Sequence, residues 1–251
     1  GVCMCVIGVD IGTTGVKTCV FDTTGAIRGS AFREYDVICT EPGMGEQDAE
    51  RVWQLTRETL REAVGQSGGD VKALSCSVQG DAIIPVDEQF RPLGNAVLGM
   101  DYRSQPQADW FAERFGGRAL FDRTGMRPHP MNSLVKMLWL KQTRPELWER
   151  ARRIVTYADF GLGRLCGEAV IDHTMASRTM ALDLSSREWA SDLLDAAGVA
   201  PDLLSRPMPS GGVVGTVVPA LARELGLRGD VLVVAGGHDQ TCAALGAGVI
   251  D

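Results

Sequence analysis

Polar residues stand where apolar runs break off, and the first such break lies within Gly8 to Lys17, GVDIGTTGVK. A β-branched run, Val6, Ile7, Val9 and Ile11, carries one carboxylate, Asp10, and gives way to Gly12-Thr13-Thr14-Gly15 before a second apolar run from Val16 to Phe21. Two such runs joined by Gly and Thr predict a β-hairpin. Glycines there allow φ > 0 and let N–H groups approach an anion, the threonines add hydroxyl donors, and Lys17 adds a point charge. A carboxylate beside this turn could hold a hydrated Mg²⁺ against phosphate oxygens. A plain tight hairpin with a solvated Asp fits the same residues. The segment is not a Walker loop, because G-x4-G-K-[ST] is absent and a strand rather than a helix follows.

The second candidate is Val231 to Gly248, VLVVAGGHDQTCAALGAG, where an apolar strand ends in Gly236-Gly237 ahead of His238, Asp239 and a small-residue helix. Ligands of open α/β sheets sit beyond the carboxyl ends of strands, which is where Asp239 falls. Asp is also a favoured helix cap. The two roles are compatible, since amides at a helix start favour negative charge and an ionised carboxylate can take a proton from a hydroxyl. Gln79-Gly80-Asp81 and Asp101-Tyr102-Arg103 also follow apolar strands, and each alone reads as a solvated loop. As a set, Asp10, Asp81, Asp101 and Asp239 are expected at or beside strand ends of one sheet. No Ser-His-Asp or Cys-His pattern competes with them. His129, His173 and His238 lack metal-ligand spacing and are expected at the surface or internally satisfied.

The elements that must position these residues follow from periodicity. Residues 4–11, 16–22 and 26–38 read as three successive strands. Asp48 is expected to cap a helix through about Val64, with Val52, Leu55, Thr59 and Val64 near one stripe. Strands are expected at Val71–Val78, Ala82–Val86 and Ala96–Leu98, then a helix capped by Ser104 and running to about Phe115. Met131–Gln142, Pro145–Arg153 and Asp159–Cys166 read as helices. Strand and helix alternate again at Gly212–Val218, Pro219–Leu225, Val231–Ala235 and Asp239–Leu245. This is an α/β layout with helices covering a sheet, and a helical insertion near 105–210.

Composition narrows the classes. The chain has 251 residues, 45% hydrophobic, enough for one large domain or two half-sized ones. A formal net charge of −7 with scattered basic residues argues against general affinity for nucleic acid or an anionic membrane. No apolar run reaches membrane-spanning length, and the N-terminal apolar stretch is short and holds Asp10, unlike a signal peptide. Seven cysteines in apolar surroundings suit reduced thiols and a cytoplasmic setting.

Taken together, the segments resemble the FGGY family of carbohydrate kinases, within the actin/hexokinase-like (ribonuclease H-like) ATPase superfamily. DIGTTGVK looks like the family's first phosphate loop, VQGD its sugar-contacting turn, and MDYRS its D-x-R element. MNSLVKMLWLKQ is similar to the K-x-x-W-L signature through Lys136, Trp139 and Leu140. GEAVIDHTMASRTMALDLSSREW resembles D-x-[ST]-x-A-S-x-T, with Asp172, Thr174, Ala176, Ser177 and Thr179. VVAGGHDQTCAALGAG resembles the segment holding the catalytic base.

The resemblance implies that ATP is the phosphoryl donor, with Asp239 as general base toward the sugar hydroxyl. Asp10 would act through Mg²⁺ and water, while Gly12, Thr13, Thr14 and Lys17 would meet the phosphates. Gln79, Asp81, Asp101 and Arg103 would line the sugar pocket beside Asp239. Xylulose kinases usually carry Gln-Met-His, and glycerol kinases Gln-Arg-Glu, where this chain has Gln79-Gly80-Asp81. The Asp81 carboxylate suits a neutral polyol or ketose and would repel a sugar acid such as gluconate unless a cation intervenes. A pentulose such as xylulose is therefore the expected substrate. Family members carry a second lobe that binds adenosine, whereas this chain stops at Asp251. The expectation is that residues 1–251 form the N-terminal sugar-binding lobe of a longer kinase, inactive alone, a homodimer being admissible. A non-catalytic sugar-binding or regulatory module is the alternative.

Overall fold

The computed structural model describes residues 3–249; Gly1, Val2, Ile250 and Asp251, where the assigned lobe begins and ends, lie outside the described residues. Its centre is a six-stranded mixed sheet. The strands are β1 (Met4–Ile11), β2 (Gly15–Asp22), β3 (Ile27–Glu34), β4 (Asp70–Val78), β5 (Val213–Thr216) and β6 (Leu232–His238), in the spatial order β5-β6-β4-β1-β2-β3. β1, β2 and β3 form an antiparallel meander, whereas β4 pairs parallel to β1, and β6 parallel to β4. The parallel pairs align the carboxyl ends of β1, β4 and β6, so Asp10, Gln79 and Asp239 come out at one end of the sheet. The helices are α1 (Ala49–Ser67), α2 (Gln105–Phe115), α3 (Gly117–Thr124), α4 (Ser133–Thr143), α5 (Pro145–Arg150), α6 (Tyr157–Cys166), α7 (His173–Arg178), α8 (Ser191–Ala197), α9 (Pro219–Leu225) and α10 (Asp239–Gly246).

Alternation along β1 separates two faces. Cys5, Ile7, Val9 and Ile11 are buried in the core shared with α1 and α6, while Met4, Val6 and Asp10 are exposed on the other side. Asp48 caps α1 as expected, accepting from the Arg51 N–H at 3.0 Å, and the helix continues past Val64 to Ser67 before Gly68 turns left-handed at φ 56°. Thr59 belongs to the buried stripe because its hydroxyl meets that of Thr18 at 2.8 Å.

The structure corrects several expectations. The third strand ends at Glu34, since Tyr35 turns its N–H to the Thr14 carbonyl. The segment 105–210 is not wholly helical. Arg153–Val155 is a strand antiparallel to Ile84–Val86, and Val170–Asp172 pairs in parallel with Arg206–Met208. A second apolar cluster around Phe111, Leu134, Met137 and Leu193 forms beneath these helices. Asp101 does not follow a strand of the main sheet. It follows Ala96–Val97, which pairs with Glu46–Gln47 in a separate two-stranded ribbon.

Candidate active site

The hairpin between β1 and β2 forms as expected, with Ile11 opposite Val16 and the Gly12 N–H donating to the Gly15 carbonyl at 2.9 Å. Neither glycine has φ > 0. Gly15 is required for a different reason: a Cβ there would lie 2.8 Å from the Arg33 carbonyl of β3. Thr13 and Thr14 are exposed at the tip, and their N–H groups have no backbone partner among the described residues. The tip is supported from below. Tyr35 Oη donates to the Gly12 carbonyl at 2.6 Å, and Gln79 Nε2 donates to the same carbonyl at 3.0 Å. Gln79 Nε2 also reaches Gln47 Oε1 at 2.9 Å, which accepts from Tyr157 Oη at 2.9 Å, and Gln47 Nε2 donates to the Thr13 carbonyl.

Asp10 and Asp239 share a cavity of about 700 Å³ on the open face of the sheet, together with Lys17 and Ser77. Lys17 is the cross-strand partner of Asp10, and Ser77 Oγ donates to Asp10 Oδ1 at 2.9 Å. A second cavity, about 620 Å³, is lined by Thr13, Gln79, Asp81, Arg178, His238 and again Asp239. Asp239 therefore belongs to both walls.

Asp239 is set by the geometry of β6. The strand does not stop at Ala235 but runs through both glycines to His238, with a register shift between Val234 and Gly237. A Cβ on Gly236 would lie 1.8 Å from the Cys76 carbonyl, so β6 presses on β4 as only glycine permits. Asp239 is the first residue of α10 rather than its cap. Its Oδ1 accepts from the Gln240 N–H at 2.7 Å and stands 3.1 Å from His238 Nε2. The His238 N–H donates to Thr174 Oγ1 at 2.9 Å, and that hydroxyl is bonded to Asp172, which caps α7 through the N–H groups of Thr174 and Met175.

Asp81 is nearly closed off, 3% exposed, with φ 67°. Its Oδ2 accepts from Arg178 Nε at 3.1 Å and Nη2 at 2.6 Å. Burial pushes the Asp81 carboxyl up, and the Arg178 guanidinium pulls against that. Burial and Arg178 also push the His238 imidazole below its ordinary value. Arg178 is thus a cation beside Asp81, so Asp81 by itself no longer excludes a sugar acid.

Asp101 and Arg103 line neither cavity. Asp101 is fully buried, accepting from the N–H groups of Gly45 at 2.8 Å and Arg103 at 2.9 Å. Arg103 bonds Glu46 at 2.7 Å and lies 5.0 Å over the Trp139 ring. Lys136 is also fully buried and donates to the carbonyls of Pro130 and Met131; burial pushes it down to about 7, against Asp81 and Asp101. Sequence reasoning gives Arg178, inside a quoted motif, no role; His238 is buried against Asp239, the internally satisfied of its two expected placements.

Comparison with known proteins agrees with this architecture. Residues 5–246 match the FGGY family of carbohydrate kinases, N-terminal domain. The chain belongs to this family. The xylulose kinase of Bacillus subtilis (strain 168) is 32% identical over 98% of the chain and 50% of that protein, and the gluconokinase of the same organism 28% identical over 97% and 48%. Ligand-bound xylulose kinase from Lactobacillus acidophilus superposes with a TM-score of 0.93 at 26% identity, covering 99% of this chain and 51% of that one. The chain spans about half the length of the curated relatives it matches. Its mixed sheet flanked by helices is the N-terminal lobe of the FGGY kinases.

The residues present fit a hydrated divalent cation at Asp10. The carboxylate is exposed, and Ser77 engages one of its oxygens. A single carboxylate plus water is a usual way for protein to hold Mg²⁺ beside phosphates. No helix among the described residues is long and apolar enough to cross a membrane.

Proposed function

We propose that this chain is the sugar-binding lobe of a kinase that transfers the γ-phosphoryl group of ATP to a hydroxyl of a sugar or polyol, with a pentulose such as xylulose the leading candidate. The observation that carries the reading is the position of Asp239 on the walls of both cavities, one holding Asp10 and Lys17, the other Gln79, Asp81 and Arg178. A hydroxyl in the second cavity and a phosphate over the hairpin would meet at this carboxylate. Asp239 takes the hydroxyl proton as the oxygen attacks phosphorus; the new P–O bond forms while the bond to the bridging oxygen breaks, releasing ADP. Thr13 and Thr14 supply hydroxyl and free N–H donors to phosphate oxygens, and Lys17 adds positive charge. Asp10 would hold Mg²⁺, which would neutralise phosphate charge. His238 and Thr174 keep the Asp239 turn in place.

Adenosine binding is assigned to a second lobe, so the chain alone should bind sugar and turn over poorly or not at all. Calorimetry with pentuloses, polyols and ATP, beside a coupled ADP-release assay, tests this. Binding of a sugar or polyol without turnover is the expected result. Ordinary turnover by the chain alone would refute the need for a second lobe, and no binding of any sugar or polyol would refute the pocket.

A further inference from the structure

We infer that Arg178, with Asp81 as its positioning residue, is how the second cavity reads its substrate, and that the substrate is a neutral polyol or ketose whose neighbouring oxygens accept from the guanidinium. This deepens the kinase reading and rests on it for the cavity's role.

Asp81 is poorly placed to touch a ligand itself. It is 3% exposed, Oδ2 is occupied by Arg178, and Oδ1 is a buried acceptor with no partner. Arg178 is the more open member of the pair, its side chain 26% exposed. A guanidinium carries five N–H donors in a fixed fork. Nε and one Nη2 hydrogen are spent on Asp81, and no other hydrogen bond from this guanidinium occurs among the described residues. The remaining donors belong to the cavity wall.

Two features hold the fork there. A Cβ on Gly80 would lie 2.7 Å from Arg178 Nε and 2.9 Å from His238 Nε2, so both side chains lie against bare backbone. Asp81 meets Arg178 from a left-handed φ of 67°, a conformation that a non-glycine residue keeps only where its surroundings enforce it. The charges select the ligand class. Arg178 is offset by Asp81, and Asp239 adds a second carboxylate, so the wall's carboxylates outnumber its guanidinium two to one. Neutral oxygens can accept from the fork, whereas a carboxylate meets a wall of its own sign.

Isothermal calorimetry on the 251-residue chain with D-xylulose, xylitol and gluconate tests this. Wild type should bind a neutral probe at least about tenfold more tightly than gluconate, and Arg178→Met should lose about tenfold or more for that probe. Arg178→Lys, which keeps the charge without the fork, should fall between. Asp81→Asn, which unbalances Arg178, should shift the gluconate-to-neutral affinity ratio toward gluconate by about tenfold, a change that mere loss of packing would not produce. Melting curves of the unliganded variants confirm folding. Equal binding of the neutral probe by wild type and Arg178→Met overturns the role of Arg178 and leaves the phosphoryl-transfer reading intact. A wild-type preference for gluconate, or an unchanged ratio in Asp81→Asn, overturns the selection argument. No binding of any probe overturns both proposals.

Discussion

Replacing Gln47 by Leu would remove the hub that supports the β1–β2 hairpin from inside. Its side chain is fully buried and takes part in three hydrogen bonds: Nε2 to the Thr13 carbonyl, and Oε1 from Gln79 and from Tyr157. Each bond contributes about 0.5–1.5 kcal/mol net, and stranding a buried donor costs about 1–3 kcal/mol. Burial holds the Tyr157 phenol well above its ordinary value, so the OH is a donor throughout the accessible pH range and is the group stranded. The sum for Gln47→Leu is roughly 2–5 kcal/mol, after allowing for relaxation. For a chain of this size each kcal/mol moves the Tm by about 2–4 °C, so the loss should be about 4–20 °C. Gln79→Leu should cost less, about 1–3 kcal/mol, because Gly12 keeps the bond from Tyr35 and Gln47 keeps that from Tyr157. The double variant should fall short of additivity by about 1 kcal/mol, the shared Gln47–Gln79 bond being lost only once. Thermal melting and urea midpoints on the four proteins provide the measurement. A Gln47→Leu shift under about 2 °C, or strict additivity, would refute the reasoning.

Gly236→Ala forces a Cβ against the Cys76 carbonyl and should cost roughly 3 kcal/mol or more in urea unfolding. Gly237→Ala meets side chains as its nearest neighbours, Thr174 at 3.0 Å, Cys242 at 3.3 Å and Thr241 at 3.5 Å, and should be far milder, so similar losses would sink the backbone argument. Lys136 titrates near 7 in the folded chain against 10.5 ordinarily, so between those values the unfolded chain binds more protons. Stability should accordingly rise with pH across that window, by up to about 1.4 kcal/mol per unit from this group, and Lys136→Met should remove that part of the slope in pH-dependent denaturation. With a nucleotide-binding lobe supplied in the same polypeptide, Asp239→Asn should lower kcat about 10²–10⁴-fold with little change in KM; a wild-type kcat would remove Asp239 as the base.

Local pattern was enough for the elements that carry the site. The β-branched alternation around Asp10, the Gly/Thr break, the Asp48 cap and the late strand leading to Asp239 all depend on neighbours in the chain, and they form close to where the residues indicate. The order of motifs was enough for the family. What local pattern missed lies between distant segments. Asp81 and Arg178 are 97 positions apart, and Gln47 and Tyr157 are 110, so neither pairing leaves a mark in periodicity or spacing. The short strands at Arg153–Val155 and Val170–Asp172 carry no signal of their own in the sequence, because three residues hold too little periodicity without a partner.

The amino-acid sequence by itself determined which carboxylates accompany apolar strand-forming runs, Asp10 within one and Asp239 just after another, because alternation and turn chemistry depend only on neighbours in the chain. Tertiary structure alone decided which carboxylates face a cavity. Asp10 and Asp239 open onto shared space, Asp81 is spent on Arg178, and Asp101 is sealed beneath Gly45 and Arg103. The physical reason is that a carboxylate's role depends on the donors and solvent around it, and those are supplied by residues that meet only once the chain is folded.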